Sequence, residues 1–166
     1  MQSVADSIDR LTTAIGRGVS WLAIVIVLGQ FGLVGARYVF GFGSIWLTET
    51  VMYAHAALFT LAAAWTLRIG GHVRVDVFYA EASPRTQAKV DLAGALLLLL
   101  PFALVLIWLS VPYAARSWAI LERSQEASGL PLVFVLKTLI PLFALLMALQ
   151  GVSQTIRAVN VLTGPR

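Results

Sequence analysis

The sequence predicts an all-α integral membrane protein of four transmembrane helices in one domain. Both termini are expected in the cytoplasm, with a short interfacial amphipathic helix between the second and third spans. Three observations carry this reading. The chain is 59% hydrophobic and only 12% charged over 166 residues, with a mean hydropathy of +0.85. A soluble domain of this size carries about 25% charged residues. Its charges cluster between apolar runs long enough to cross a bilayer, which takes about 20 residues. Lysine and arginine divide unequally between the two sets of loops, and that division sets orientation.

The chain opens with Asp6, Asp9, Arg10 and Arg17 ahead of its first apolar run. That run is too long for the core of a secretory signal. Val4, Ile8, Leu11 and Ile15 recur at helical spacing, so residues 1–18 read as an amphipathic lead-in. The first span covers residues 19–40, closes on Arg37-Tyr38 and carries Gly29, Gly32 and Gly35. Small residues let membrane helices approach closely. Gln30 is its only strongly polar residue at depth.

After the turn Gly41-Phe42-Gly43-Ser44, Trp46 is an interfacial anchor and residues 45–69 form the second span, closing on Arg68. Gly70 and Gly71 follow, as expected where a helix ends in the left-handed conformation. In the connection, Val73, Val75 and Val77 alternate with Arg74 and Asp76, which is a strand signature. A lone strand at a bilayer surface has no ladder partner, so a short interfacial helix through Tyr79 is the expectation. Ser83-Pro84 reads as an N-cap with proline at the first helical position. The third span, residues 88–113, contains Pro101 and Pro112, which should kink it. Gly129-Leu130-Pro131 starts the fourth span, residues 131–152, which can continue as a helix to Val161.

The N-terminal segment, middle connection and C-terminus hold Arg10, Arg17, Arg68, Arg74, Arg85, Lys89, Arg157 and Arg166; the other side holds Arg37, Arg116, Arg123 and Lys137. Eight against four places both termini inside. Orientation also accounts for the net charge of +4 better than nucleic acid does, since no basic patch with interleaved aromatics occurs. The absence of cysteine excludes disulfides, thiolate metal sites and cysteine nucleophiles. No phosphate loop, nucleophile elbow or acidic pair at metal-ligand spacing is present, so neither an enzyme nor a cofactor is expected.

Glu49, about one turn into the second span, is either a proton or cation site or a structural acid paired with a base. Lys137 lies at comparable depth under the same surface and is the expected partner, with Arg37 as competitor and Arg116 as a weaker candidate. His55 lies about 9 Å further along the helix than Glu49 and is expected to hydrogen-bond a neighbouring helix. His72 lies at the far end of that span, so bis-histidine haem ligation is implausible. With Arg74 and Asp76, His72 forms either a contact with lipid head groups or a partner, or a solvated loop.

The order and spacing of several motifs resemble those of one family. They are Arg37-Tyr38, Trp46-x-x-Glu49, Gly71-His72-Val73-Arg74-Val75-Asp76, Ser128-Gly129-Leu130-Pro131, and Lys137 with Pro141. Over nearly its whole length the chain resembles the small membrane subunit, the Q-type (DctQ-like) component, of tripartite ATP-independent periplasmic (TRAP) transporters. Thr48 departs from that pattern, since the family often has a second acid there. The resemblance implies a non-catalytic scaffold in the bacterial inner membrane. Its partners would be a large M-type permease subunit bearing the substrate and sodium sites, a periplasmic substrate-binding protein that delivers an organic acid, and membrane lipids. The competing class is a self-sufficient four-helix, proton-coupled exporter that uses Glu49.

Overall fold

The computed structural model describes residues 2–72 and 79–164, so Arg74, Asp76 and the expected interfacial helix lie outside the described residues. The described residues form helices α1 (Gln2–Ser20), α2 (Leu22–Phe40), α3 (Ile45–Arg68), α4 (Pro84–Gly94), α5 (Leu100–Ala119) and α6 (Val133–Thr163). A five-residue π-helical turn, Ala95–Leu99, joins α4 to α5. Among the described residues there is no strand. Four helical segments, counting α1–α2 and α4–α5 each as one, are long and apolar enough to cross a membrane.

The helix ends follow from local chemistry. Ser44 caps α3, its Oγ accepting from the Leu47 N–H at 3.3 Å. At the other end of α3, Gly70 takes φ 68°. The Gly70 N–H donates to the Leu67 carbonyl at 3.2 Å and the Gly71 N–H to the Thr66 carbonyl at 2.9 Å. Those two bonds satisfy carbonyls that the helix would leave open. Ser83 caps α4 by accepting from the Thr86 N–H at 3.3 Å, with Pro84 in the first turn. Pro101 lacks the N–H that would bond four residues back, and its ring crowds that carbonyl. The π turn lies immediately ahead of it, with the Leu100 N–H reaching five residues back to the Ala95 carbonyl. A wider turn there accommodates the proline within one continuous helical run.

α6 is the central helix, packing against α1, α3, α4 and α5, whereas α2 packs chiefly on α3. The core is built from small side chains, among them Ala5, Ala64, Ala103, Ala144 and Ala158. In a bilayer, helices associate by close backbone approach rather than by hiding apolar area from water. Gly16 shows the closeness: a β-carbon there would lie 2.5 Å from Trp65 Cβ, so α1 reaches α3 only with glycine at this position. The large apolar groups point outward instead, with Phe31 79%, Leu97 73% and Trp108 75% exposed.

The amphipathic lead-in is helix α1, and the sequence reading left open which of its faces meets the protein. The stripe it buries is Ala5, Asp9, Thr12 and Gly16, while Val4 and Leu11 face outward. Its small and polar side therefore meets the protein and its apolar side meets the surroundings, the reverse of a helix on a soluble core. The reason is the solvent: beside a bilayer the apolar stripe is satisfied by lipid, and the polar stripe needs protein.

Candidate functional sites at the two ends of the bundle

The first site lies where α1 meets the C-terminal half of α6. Gln150, Ser153 and Arg157 fall at spacings of three and four residues, so one face of an otherwise apolar helix is polar. That face receives Asp9, which is 4% exposed. Gln150 Nε2 donates to Asp9 Oδ1 at 3.1 Å and Ser153 Oγ donates to the same oxygen at 2.7 Å. Arg157 Nε donates to Asp9 Oδ2 at 3.0 Å. Arg68, at the end of α3, lies 3.5 Å from Oδ2 and also donates to Thr13. Gln150 is satisfied in turn, its Oε1 accepting from Thr12 at 2.9 Å. Arg157 also reaches Asp6 at 2.9 Å. One carboxylate thus ties α1, α3 and α6 together.

Sequence reading placed Asp6 and Asp9 in an amphipathic lead-in without assigning them partners and missed this cluster. The signal that could have found it is the polar face of α6 at residues 150, 153 and 157, which has no use in lipid and calls for an acidic partner.

The second site lies at the opposite end, where the loop after α5 returns into α6. The sequence expectation paired Glu49 with Lys137, and the structure separates them. Lys137 Nζ lies 2.5 Å from Glu122 Oε2 and 4.4 Å from the centre of the Tyr113 ring. Ser117 Oγ donates to the same Glu122 oxygen at 2.7 Å. Glu49 instead holds the loop: Ser124 Oγ donates to its Oε1, and the Leu130 N–H donates to Oε2 at 2.5 Å. Depth along the helices places Glu49 and Lys137 alike, but depth says nothing about azimuth, and Glu122 is the acid that the loop delivers to Lys137. Neither Arg37 nor Arg116 is paired with Glu49 among the described residues.

Gly129 permits this arrangement. A β-carbon there would lie 2.3 Å from Ser124 Oγ and 2.8 Å from Glu49 Oε1. The loop leaves α5 through Leu121 at φ 45°, a left-handed conformation unusual for a residue with a side chain. The Glu122 N–H returns to the Ser117 carbonyl at 3.0 Å, which aims the Glu122 side chain back towards α6.

Trp46 is exposed in the first turn of α3, and Arg37 is exposed at the end of α2. His72 folds back to within 3.3 Å of the Ala63 carbonyl. His55 stacks on Phe59 with ring centres 4.7 Å apart and makes no hydrogen bond among the described residues, contrary to expectation. No group of three or more histidine or acidic residues that could hold a metal ion occurs among the described residues.

The Glu122 carboxyl is held below its usual range, first by the Lys137 hydrogen bond and then by Ser117. A depressed pKa contributes stability that is complete above the ordinary glutamate value of about 4.3. The contribution disappears as pH falls through the depressed value. Lys137→Met removes the main cause, so the melting temperature should fall at neutral pH and its drop on acidification through the glutamate range should become shallower. An unchanged acid limb would show that the ion pair adds nothing to the fold.

Comparison with known families gives a match. The profile described as "Tripartite ATP-independent periplasmic transporters, DctQ component" matches residues 23–161. No curated protein and no solved structure matches the chain.

Proposed function

Because the chain belongs to the family of the DctQ component of TRAP transporters, we propose that it is the scaffold of such a transporter. In this role it sits in the bacterial inner membrane with both termini cytoplasmic and enlarges the static part of a complex with a large permease subunit. The permease carries the substrate and sodium sites, and a periplasmic binding protein delivers an organic acid for sodium-driven symport. The observation that carries the reading is what the ionisable groups do. Asp9 with Arg157, and Glu122 with Lys137, each join one helix or loop to another. Glu49, which an exporter would need open to solute, is engaged by Ser124 and Leu130.

On this reading the end of the bundle held by Glu49 and Glu122 faces the periplasm. It offers the binding protein a rigid surface bearing the exposed Trp118, Ile120 and Leu121. The eight-to-four division of Lys and Arg supports this orientation.

Co-expression with a cognate large subunit should yield a one-to-one complex on purification, and this chain reconstituted alone should move no solute. Sodium-driven uptake or proton-driven export by the chain alone would overturn the proposal. Since the chain has no cysteine, single cysteines introduced beside Gln2 and beside Ser128 would report sidedness with a membrane-impermeant reagent. Labelling at Ser128 and protection at Gln2 in intact cells is the expected result.

A further inference from the structure

A cavity of about 280 Å³ opens between α2 and α3 at the end where the turn 41–44 joins them. Its polar lining is Gln30 and Arg37 from α2 and Ser44 and Thr48 from the start of α3, and no acidic residue contributes. Arg37 has no ion pair or hydrogen bond among the described residues, and neither does the Gln30 amide. Ser44 Oγ accepts from the Leu47 N–H, which leaves its own proton available. Gln30 and Arg37 are seven residues apart on one face of α2, a rise of about 10 Å. α2 itself has no buried residue.

A cation at the membrane surface, a hydroxyl beside it and an amide about two turns deeper form a descending series of donors. Phospholipids present acceptors in the same order, phosphate first and ester carbonyls below. We propose that this cavity binds the head-group region of a phospholipid. The phosphate lies on Arg37 and Ser44, an ester carbonyl accepts from Gln30, and the acyl chains run along the exposed apolar flank of α2 that includes Val27 and Phe31. A partner's carboxylate would satisfy Arg37 but leave the Gln30 amide without an acceptor in hydrocarbon, which is costly. Tyr38, also lining the cavity, and Trp46 nearby in the first turn of α3 suit the interfacial depth. The site does not depend on which transporter subunit the chain joins.

The test uses the full chain in non-ionic detergent, with bound lipid read by native mass spectrometry. Dioleoyl-phosphatidylglycerol should form a one-to-one adduct. Arg37→Gln should weaken it about tenfold, the loss expected for a charge-assisted bidentate contact. Gln30→Leu should weaken it about threefold, as for one membrane hydrogen bond. Gln30→Leu also keeps the test decisive if the arginine variant fails to fold. Dioleoylglycerol, which lacks the phosphate but keeps the ester carbonyls, should bind weakly, to the same extent in wild type and Arg37→Gln and about threefold more weakly in Gln30→Leu, and millimolar inorganic phosphate should not displace the lipid. Equal phosphatidylglycerol retention by the variants would overturn the site, as would equal binding of dioleoylglycerol. Displacement by inorganic phosphate would assign the cavity to a free anion and overturn it as well.

Discussion

Asp9→Ala is expected to lower the stability of this protein by about 3 kcal/mol, the largest effect of any single side-chain removal considered. Breaking a buried ion pair costs about 3–5 kcal/mol when the remaining charge is stranded in the interior. Here the stranded cations are partly wet, with the Arg157 side chain 51% and that of Arg68 37% exposed, so solvent takes up much of their loss. The larger penalty falls on Gln150 and Ser153, 1% and 0% exposed, which would lose their acceptor at about 1–3 kcal/mol each. For a protein of this size that corresponds to a fall of roughly 10 °C in melting temperature. Asp9→Asn keeps one acceptor oxygen and should lose about half as much. The change should also release α1, so protease cleavage within residues 2–20 should accelerate in the alanine variant. A melting temperature within a degree or two of wild type would show that α1 is held by Gly16 and its neighbours instead.

The second large effect is expected at Glu49. Glu49→Ala removes both Glu49 oxygens that hold the loop 120–132, leaving the buried Leu130 N–H and the proton of the half-buried Ser124 hydroxyl without acceptors. Hydrogen bonds to a charged group contribute about 1.5–3 kcal/mol each, and with the site partly exposed a total near 2–3 kcal/mol follows. The loss should be local. Amide exchange should rise across residues 122–131 while α1 and the lower half of α6 keep their protection. Glu49→Gln, with one oxygen left, should retain part of the loop's order. Because Lys137 belongs to Glu122, Lys137→Met should add to a Glu49 variant rather than relieve it. Recovery of stability in the Glu49→Gln, Lys137→Met double variant would restore the direct pair that the structure replaces.

Part of this was legible residue by residue. Ser44 and Ser83 announce helix starts, Gly70 a helix end, and the apolar runs between them their own crossing of a membrane, because each of those signals acts within a few residues of itself. Glu49, His55 and Lys137 could be placed in depth by counting along their helices. The clusters were a different matter. Asp9 meets residues more than 140 positions away, and Glu122 reaches Lys137 only because Leu121 adopts a left-handed turn that nothing in its side chain requires.

The sequence by itself therefore determined the class of protein, its four apolar crossings, the helix caps and the residues that resemble one family. Hydropathy, capping and periodicity are local properties, and the bilayer leaves only helices available to such a chain. Only the tertiary structure decided which face of each helix meets which neighbour. It turned the polar stripe of α1 inward, gave Asp9 to Gln150, Ser153 and Arg157, and assigned Lys137 to Glu122 and Glu49 to the loop. The azimuth of a helix in a membrane depends on close contacts at a few glycines and on the pairing of scarce polar groups, and both exist only once distant segments have come together.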